Sequence, residues 1–269
     1  MPEISKTVKN AVSLLNCFNR STPILNVSEL SRKLKLPRTN VLRLLATLEA
    51  FGLIEKHGDG PGYHIGLRTF EIGSLYLTAS PLSSLLTRAL DELVENTQCT
   101  AYLAVLDQDD IIILNYRAGT LPIRFIWQVG DRLPCATTSS GKAILAHMSP
   151  AEIDKHLGKG QKLRGLTEKS LRTRKELEKD LTDARRRGWG LAREESHAGL
   201  TAVGSAVLDE AGHPIAAISI SFFDYPPQRE RLDRFGAMVR NVAESVSKKI
   251  MESGNYGLGK SREALVPHA

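Results

Sequence analysis

The segment from Pro37 to Gly52, PRTNVLRLLATLEAFG, carries two kinds of side chain at helical spacing. At about 100° per residue, one arc holds side chains that can hydrogen-bond to base edges and phosphates, and none of them is acidic. The chemistry that this arc could do is therefore nucleic-acid recognition. Its members are Thr39, Asn40, Arg43 and Thr47, and the opposite arc, which should be buried, holds Val41, Leu44, Leu45, Leu48 and Phe51.

A helix-turn-helix would hold this arc in place. Asn26 with Glu29 three residues later has the pattern of a capping box, which predicts the start of a short helix. The turn that follows leads into the next helix, which we expect to begin at Pro37 because proline suits a first helical position. An earlier helix over about Ser5–Phe18 should pack on both. The predicted buried residues are Val8, Ala11, Val12, Leu15 and Phe18 in the first helix and Val27, Leu30 and Leu34 in the second.

Two short β runs, Leu53–Lys56 and Tyr63–Ile65, flank a glycine-rich turn and predict a hairpin, the wing of a winged helix-turn-helix. His57 and His64 should face each other across it and could contact phosphates. A metal role is disfavoured, since no cysteine or carboxylate cluster accompanies them. The DNA-binding candidates are Ser28, Lys35, Arg38, Thr39, Asn40, Arg43, Thr47, Lys56 and His57.

The basic residues are concentrated near the N-terminus. From Ser5 to Thr47 there are eight lysines and arginines against Glu29 alone, a net +7, whereas the whole chain carries +6. Such an excess suits a polyanionic partner such as double-stranded DNA. The alternative is a solvated helical face.

The composition fits a globular protein of two domains, with 42% hydrophobic and 25% charged residues in a chain of 269. No apolar run approaches the ~20 residues of a membrane span, and the N-terminus does not resemble a signal peptide. The three cysteines, Cys17, Cys99 and Cys135, have neither disulfide nor zinc spacing. We therefore expect a cytoplasmic protein without a membrane partner, a metal or a cofactor.

The rest of the chain predicts a connecting helix followed by an α/β domain. The helix, Leu67–Leu77, carries an apolar stripe that another surface should cover, so dimerisation is expected. The predicted domains are 1–66, a linker helix over 67–80, 81–252, and a disordered tail over 253–269. The predicted helices of the second domain are 82–96, 139–148, one capped by Ser149, 171–187 and 228–252, and its predicted strands are 101–106, 111–116, 123–129, 190–193, 201–208 and 214–223.

The sequence fits none of three common catalytic motifs. Gly141-Lys142 lacks the spacing of a phosphate loop, and neither a Gly-x-Ser-x-Gly nor a His-Glu-x-x-His motif occurs. Glu194 and Glu195, with His197 and Asp209, could be imagined as acid and base, but adjacent strand residues point to opposite faces. We predict no catalytic residue. A protein adaptor that does not use DNA and an effector-independent DNA-binding protein stay open, and the basic excess argues against the adaptor.

Four later runs of the sequence carry a resemblance to a known family: GDRLP at 130–134, SSGKAILA at 139–146, GWGLAREE at 188–195 and AISIS at 217–221. They are similar to signatures of the IclR (isocitrate lyase regulator) family of bacterial transcription factors, and the resemblance covers about Ser5–Met251. It implies an α+β protein with an N-terminal winged helix-turn-helix of three helices plus a wing hairpin, a linker helix and a C-terminal GAF-like α/β effector-binding domain. Homodimers, often paired as dimers of dimers, would bind palindromic operators of catabolic operons as repressors or activators.

The resemblance also implies a site for a small organic acid. Its carboxylate would meet the free N–H groups of the helix that begins at Ser139. Family members that bind small carboxylates have an acidic and a cysteine contact where this chain has Ala192 and Ala202, and this departure favours a larger or aromatic acid. Phe125 and Trp127 either flank that pocket or simply pack in the core. The effector-binding candidates are Phe125, Trp127, Leu133, Ser139, Ser140, Gly141, Ala192, Leu200, Ala202, Ser219 and Ser221.

A second departure lies in the helix-turn-helix, where Lys35 occupies a position that is usually glycine in the family. If its backbone is left-handed, lysine costs about 1–2 kcal/mol there. The positive charge would lie near the phosphates.

Overall fold

The computed structural model describes residues 3–78, 82–224 and 227–253. The chain divides into two compact units, one up to residue 79 and one from residue 80 onward. Within the described ranges, none of the helices combines the length and the hydropathy that a membrane span needs. Residues 254–269, nearly all of the tail predicted to be disordered, lie outside these ranges.

The N-terminal unit has the predicted helix-turn-helix and wing. The wing strands are joined by a third strand that the sequence did not predict, since two residues are too few to show a pattern; the antiparallel order is β1-β3-β2. The elements are α1 (Lys6–Leu15), β1 (Leu25–Asn26), α2 (Val27–Leu34), α3 (Arg38–Ala50), β2 (Ile54–Lys56), β3 (Gly62–Ile65) and α4 (Leu67–Thr78).

The capping box at the start of α2 is confirmed. The side-chain oxygen of Asn26 accepts hydrogen bonds from the amides of Ser28 and Glu29 at 2.9 and 3.1 Å, and the Glu29 carboxylate accepts from the Asn26 amide at 2.8 Å. The helix ends at Leu34, and the residue that caps it, Lys35, has a left-handed backbone with φ of 53°. Pro37 was expected as the first helical residue, but its ψ of 142° is extended, so it is the N-cap of α3.

Three residues that were predicted to be buried in the core of this unit are exposed. Val8, Val12 and Phe51 were expected to be buried, yet they are 61%, 51% and 72% exposed. The buried face of α1 centres on Leu14, and Phe51 follows the last residue of α3, where the chain has left the helix. The buried hydrophobic residues are Leu14, Leu25, Leu30, Val41, Leu45, Leu48, Ile54 and Tyr63.

The C-terminal unit is built on a six-stranded antiparallel sheet of order β6-β5-β4-β9-β8-β7. A short 3-10 helix, Cys135–Thr137, precedes α6. The elements are α5 (Leu82–Thr97), β4 (Thr100–Asp107), β5 (Asp110–Arg117), β6 (Arg132–Pro134), α6 (Ser139–Ala146), α7 (Pro150–Leu157), α8 (Arg174–Arg187), β7 (Gly190–Arg193), β8 (Leu200–Leu208), β9 (Pro214–Phe223) and α9 (Arg229–Ser253).

Alternate residues of a strand point to opposite faces of the sheet, and helices cover both faces. One face, which includes Val203 and Ile218, packs against α5 and α9. The other face, here called the α6 face, includes Tyr102 and Ala104 and packs against α6, α7 and α8.

The predicted strand at Ile123–Val129 is wrong. Residues 118–131 form an irregular segment, here called the strap, and the edge of the sheet is taken by β6, where Leu133 pairs with Ile111. The strap is held by a side chain instead of a strand partner: the Tyr102 hydroxyl donates to the Phe125 carbonyl at 2.9 Å and accepts from the Trp127 amide at 3.4 Å.

Candidate DNA-binding and effector sites

The four polar residues predicted on α3 lie on its exposed side. Thr39, Asn40, Arg43 and Thr47 are all exposed, while the core side of the helix is sealed by Val41, Leu45 and Leu48. The Thr47 hydroxyl donates to the Arg43 carbonyl at 2.9 Å, so this side chain already has an acceptor within the helix. The side chains of Asn40 and Arg43 are thus placed to reach a partner outside the unit.

A second group of candidates joins the start of α3 to the first turn of α2. The Arg38 guanidinium donates to the Ser28 hydroxyl at 2.7 Å, and both side chains are exposed. Lys35 lies in the turn between the helices and is exposed as well. Hydroxyl and cationic groups beside a base-reading helix are the groups that commonly contact the phosphate backbone.

The wing carries the third group. The rings of His57 and His64 meet edge to face with centroids 5.6 Å apart, which confirms that they face each other. Lys56 lies 3.7 Å from Glu49 of α3, and Nε2 of His64 lies 3.7 Å from Glu55. In the described part of the chain, no three histidine, cysteine or acidic side chains lie close enough together to hold a metal ion.

The structure brings several effector-binding candidates together on the α6 face. Ser219 and Ser221 of β9 lie opposite Gly204 and Ala202 of β8, and Ala202 in turn lies opposite Ala192 of β7. The Ser140 hydroxyl at the start of α6 donates to that of Ser219 at 2.9 Å. The predicted polar residues therefore form one buried hydroxyl cluster between α6 and the sheet.

Two glycines allow α6 to lie so close to the strands. A Cβ on Gly190 would lie 2.4 Å from the Ser139 carbonyl oxygen, and one on Gly204 would lie 3.0 Å from the Ser140 amide nitrogen. The first turn of α6 thus rests directly on the backbone of β7 and β8, where a larger residue would push it away.

The N-terminus of α6 is the predicted anion site. Thr138 is the N-cap, and its hydroxyl accepts from the Gly141 amide at 3.0 Å. The amides of Ser139 and Ser140 precede the first intrahelical hydrogen bond, so the helix itself gives them no acceptor. All eight residues of α6 are buried, which strengthens the attraction of these amides for a negative charge.

Tyr102 lies beside the candidate effector-binding serines, although the sequence did not single it out. It is 3% exposed, and its hydroxyl lies 3.5 Å from Ser221 as well as contacting the strap. Burial raises the pKa of Tyr102, so the hydroxyl stays protonated and able to donate. Alternation along the strand could have placed Tyr102 and Ala104 on one face, but only the pairing of β4 with β9 brings Tyr102 opposite Ser219.

The aromatic candidates lie in the strap. The Phe125 ring centroid is 4.7 Å from that of Trp127 and 4.4 Å from that of His197, which lies between β7 and β8. Trp127 also packs against the core of the α6 face. The strap is therefore held at two points, by the hydrogen bonds of Tyr102 and by the ring contact with His197. Of the predicted apolar walls, Leu133 and Leu200 are both 2% exposed.

A cleft of about 540 Å³ opens elsewhere in this unit and shares none of its lining residues with the predicted effector site. Arg193 and Thr201 line it, and they point to the opposite face from Ala192 and Ala202, their neighbours along the strands. The full lining set is Lys169, Arg193, Glu194, Gly199, Thr201, Asp224 and Pro227.

Lys142, the lysine of the SSGKAILA run, is buried and bonded to groups that the sequence did not reveal as its partners. Its ammonium lies 2.7 and 2.8 Å from the two carboxylate oxygens of Glu195, 2.6 Å from Asp180 and 3.1 Å from the Leu191 carbonyl. Burial raises the pKa of Glu195, although Lys142 opposes that shift. Glu194 pairs instead with Lys169, so the two adjacent glutamates do not form an acid and base pair.

Two family models match the chain. One describes the IclR helix-turn-helix domain and matches residues 7–58; the other describes the C-terminal part of the bacterial transcriptional regulator IclR and matches residues 74–248. The chain is 31% identical over 244 residues to the transcriptional repressor IclR of Escherichia coli, covering 90% of this chain and 89% of the repressor. It is 27% identical over 249 residues to the E. coli regulator KdgR, covering 93% and 94%.

Solved structures share the fold. An IclR transcriptional regulator from Alicyclobacillus acidocaldarius has a TM-score of 0.81 at 20% identity, covering 92% of this chain and 100% of that one. An IclR homologue from Microbacterium hydrocarbonoxydans, solved in complex with 4-hydroxybenzoate, has a TM-score of 0.77 at 22% identity with the same coverage. The predicted fold class, a winged helix-turn-helix followed by an α/β domain, is confirmed.

Proposed function

The chain belongs to the IclR family of bacterial transcriptional regulators, and we propose that it binds a palindromic operator as a homodimer under the control of a small organic acid. Its relatives are transcriptional regulators and repressors rather than enzymes. Because the proposed partner is operator DNA, we place the protein in the cytoplasm. The observation that carries the proposal is the exposed polar arc of α3 within a basic helix-turn-helix.

Asn40 and Arg43 are the proposed base-reading residues. An asparagine amide can bond bidentately to adenine and an arginine guanidinium to guanine in the major groove. Ser28, Lys35 and Arg38, together with Lys56 and His57 of the wing, would contact phosphates and set the register of α3 on the duplex.

The proposed dimer contact is the exposed apolar surface of α4. Leu67, Phe70, Ile72, Leu75 and Tyr76 are 50–71% exposed and spread around much of the helix, and an exposed apolar patch of this kind marks an interaction surface. Burying them between two copies would fix the distance between two recognition helices, which must match half-sites one helical turn or a multiple apart.

The proposed effector site lies on the α6 face, between the α6 N-terminus and the strap. The amides of Ser139 and Ser140 would hold the carboxylate, and the hydroxyls of Ser219, Ser221 and Tyr102 would bind polar groups of the acid. Phe125 and Trp127 supply aromatic surface, so we propose an aromatic carboxylate. The related structure that holds 4-hydroxybenzoate makes that acid the first to test.

Control would follow from linkage. A ligand that prefers one arrangement of the subunits shifts the population towards it, and α4 would pass that preference to the spacing of the two α3 helices. Operator affinity then rises or falls by the same free energy with which the operator changes ligand affinity.

The DNA-binding role is tested with an operator selected from a random duplex pool by the full-length protein. Asn40→Ala and Arg43→Ala should each weaken binding to it by about 1–3 kcal/mol, whereas Arg186→Ala, an exposed arginine of α8, should not. Full-strength specific binding by both α3 variants would remove Asn40 and Arg43 from the base-reading set.

The effector site is tested by thermal shifts against a panel of aromatic and aliphatic acids, beginning with 4-hydroxybenzoate. The double variant Ser219→Ala, Ser221→Ala should lose the shift that the wild type shows. Thr201→Ala, in the separate cleft, is the matched control and should keep it. If the serine variant keeps its shift and Thr201→Ala loses it, the acid binds in the cleft instead.

A further inference from the structure

Leu42 is an exposed leucine on α3, a helix whose other exposed residues are either polar or alanine. It is 48% exposed, and the apolar side chains packed on the core of its unit include its neighbour Leu44 but not Leu42. Leu42 therefore adds little to the core of the N-terminal unit, and about half of its side chain is open to a partner.

Leu42 shares its side of α3 with two other residues that carry methyl groups. At about 100° per residue, Thr39, Leu42 and Ala46 fall within roughly a 60° arc, and that arc lies beside Arg43. Ala46, like Thr39, is exposed. The helix therefore presents a line of methyl groups along one margin of its hydrogen-bonding arc.

The major groove offers a matching apolar group. Among the four bases, only thymine carries a methyl group on its major-groove edge, and it is recognised by apolar contact with groups such as an alanine or threonine methyl. On α3 the side chains that could contact this methyl group are Leu42 and Ala46, because Asn40 lies about 160° away from Leu42 around the helix, at the other margin of the outward side.

We propose that Leu42, with Ala46 beside it, determines operator specificity by packing against a thymine methyl group in each half-site. The inference rests on the proposed binding of α3 in the major groove. It adds a specificity contact that hydrogen-bonding residues cannot make, because they do not distinguish thymine from uracil.

Uracil substitution tests this directly, because it removes only the methyl group. Each thymine of the selected operator is replaced in turn by deoxyuridine, and Kd is measured with the full-length protein by fluorescence anisotropy at fixed salt. We expect one thymine per half-site at which uracil weakens wild-type binding about fourfold, the equilibrium change that burial of one methyl group brings.

In the variant Leu42→Ala the shortened side chain no longer reaches the methyl group, so the ratio of the affinities for the thymine and uracil duplexes at that position should fall from about fourfold towards one. Leu166→Ala is the matched control, because Leu166 lies in the C-terminal unit and is 49% exposed; it should keep the fourfold ratio. Leu42→Met, which retains an apolar contact, should keep most of it.

The outcomes separate the two proposals. If the protein selects no sequence and binds no duplex specifically, the proposed function fails. If it binds a selected operator but no thymine responds to uracil, or the response persists in Leu42→Ala, the role of Leu42 is overturned and the regulator function stands. The uracil scan of the wild type decides this even if Leu42→Ala folds poorly.

Discussion

The ammonium of Lys142 and the carboxylate of Glu195 form a two-oxygen ion pair inside the C-terminal unit, with side chains only 1% and 8% exposed. Lys142 immediately follows the proposed anion-binding turn of α6, and Glu195 follows β7 by two residues. The pair therefore fixes that turn against the strand on which it rests. Breaking a buried pair leaves one charge without compensation, which costs far more than an exposed pair contributes.

Replacing Lys142 with methionine should lower the free energy of unfolding of the C-terminal unit by about 3–5 kcal/mol. Urea unfolding followed by tryptophan fluorescence measures this, since both tryptophans, Trp127 and Trp189, lie in that unit. Lys169→Met is the matched control: Lys169 is 62% exposed beside Glu194, and its loss should cost less than about 1 kcal/mol. Equal effects of the two substitutions would contradict the prediction.

Replacing Lys35 with glycine should stabilise the helix-turn-helix. Lys35 has a left-handed backbone, which costs a residue with a Cβ about 1–2 kcal/mol and glycine almost nothing. We expect a gain of about 1 kcal/mol in urea unfolding followed by circular dichroism. Lys33→Gly, inside α2, should instead lose about 1 kcal/mol, and a loss at Lys35 as well would mean that its side chain matters more than its backbone.

Lys35→Gly also removes a charge near the proposed phosphate contacts. The slope of log Kd for the selected operator against log salt should fall by about one unit. An unchanged slope would place Lys35 away from the phosphates.

Two cysteines should resist alkylation in the folded protein. Burial raises the pKa of Cys99 to about 11 and that of Cys135 to about 12, so almost no thiolate forms near neutral pH. With iodoacetamide at pH 8, mass spectrometry should find Cys17, which is only partly buried, labelled first. All three should label in urea, and prompt native labelling of Cys135 would show that the α6 region opens.

Replacing Gly190 with alanine should disturb the proposed effector site. The new methyl group would meet the Ser139 carbonyl oxygen, a backbone atom that cannot move without α6. We expect destabilisation of about 1–3 kcal/mol and weaker binding of any acid found in the panel. Gly73→Ala is the control: it lies in α4 with open space around it, and should be neutral or stabilising by up to about 1 kcal/mol.

Elements defined by local chemistry could be predicted from the sequence. The capping box of Asn26 and Glu29, the hairpin around Gln108 and the end of α8 at Gly188 each depend on a few adjacent residues. Their positions in the structure agree with the predictions because no distant partner is needed to form them.

Features that depend on partners distant in the sequence could not be predicted in this way. The alternation of Ile123–Val129 suits a strand, but β6 occupies the sheet edge and the strap bonds to Tyr102 instead. The burial of Lys142 depends on Glu195 and Asp180, which no spacing rule connects to it. The sequence motifs located the α6 turn correctly, whereas the groups that support it became visible only in three dimensions.

The pairing of the two central strands has a consequence for the time course of synthesis. β4 lies between β5 and β9, and Thr100 pairs with Ser221, so the middle of the sheet cannot close until β9 has left the ribosome. The strands of the helix-turn-helix and wing, by contrast, are complete by Ile65 and pair only with one another. Chains emerging from the ribosome should therefore carry a folded DNA-reading module well before they can sense any ligand.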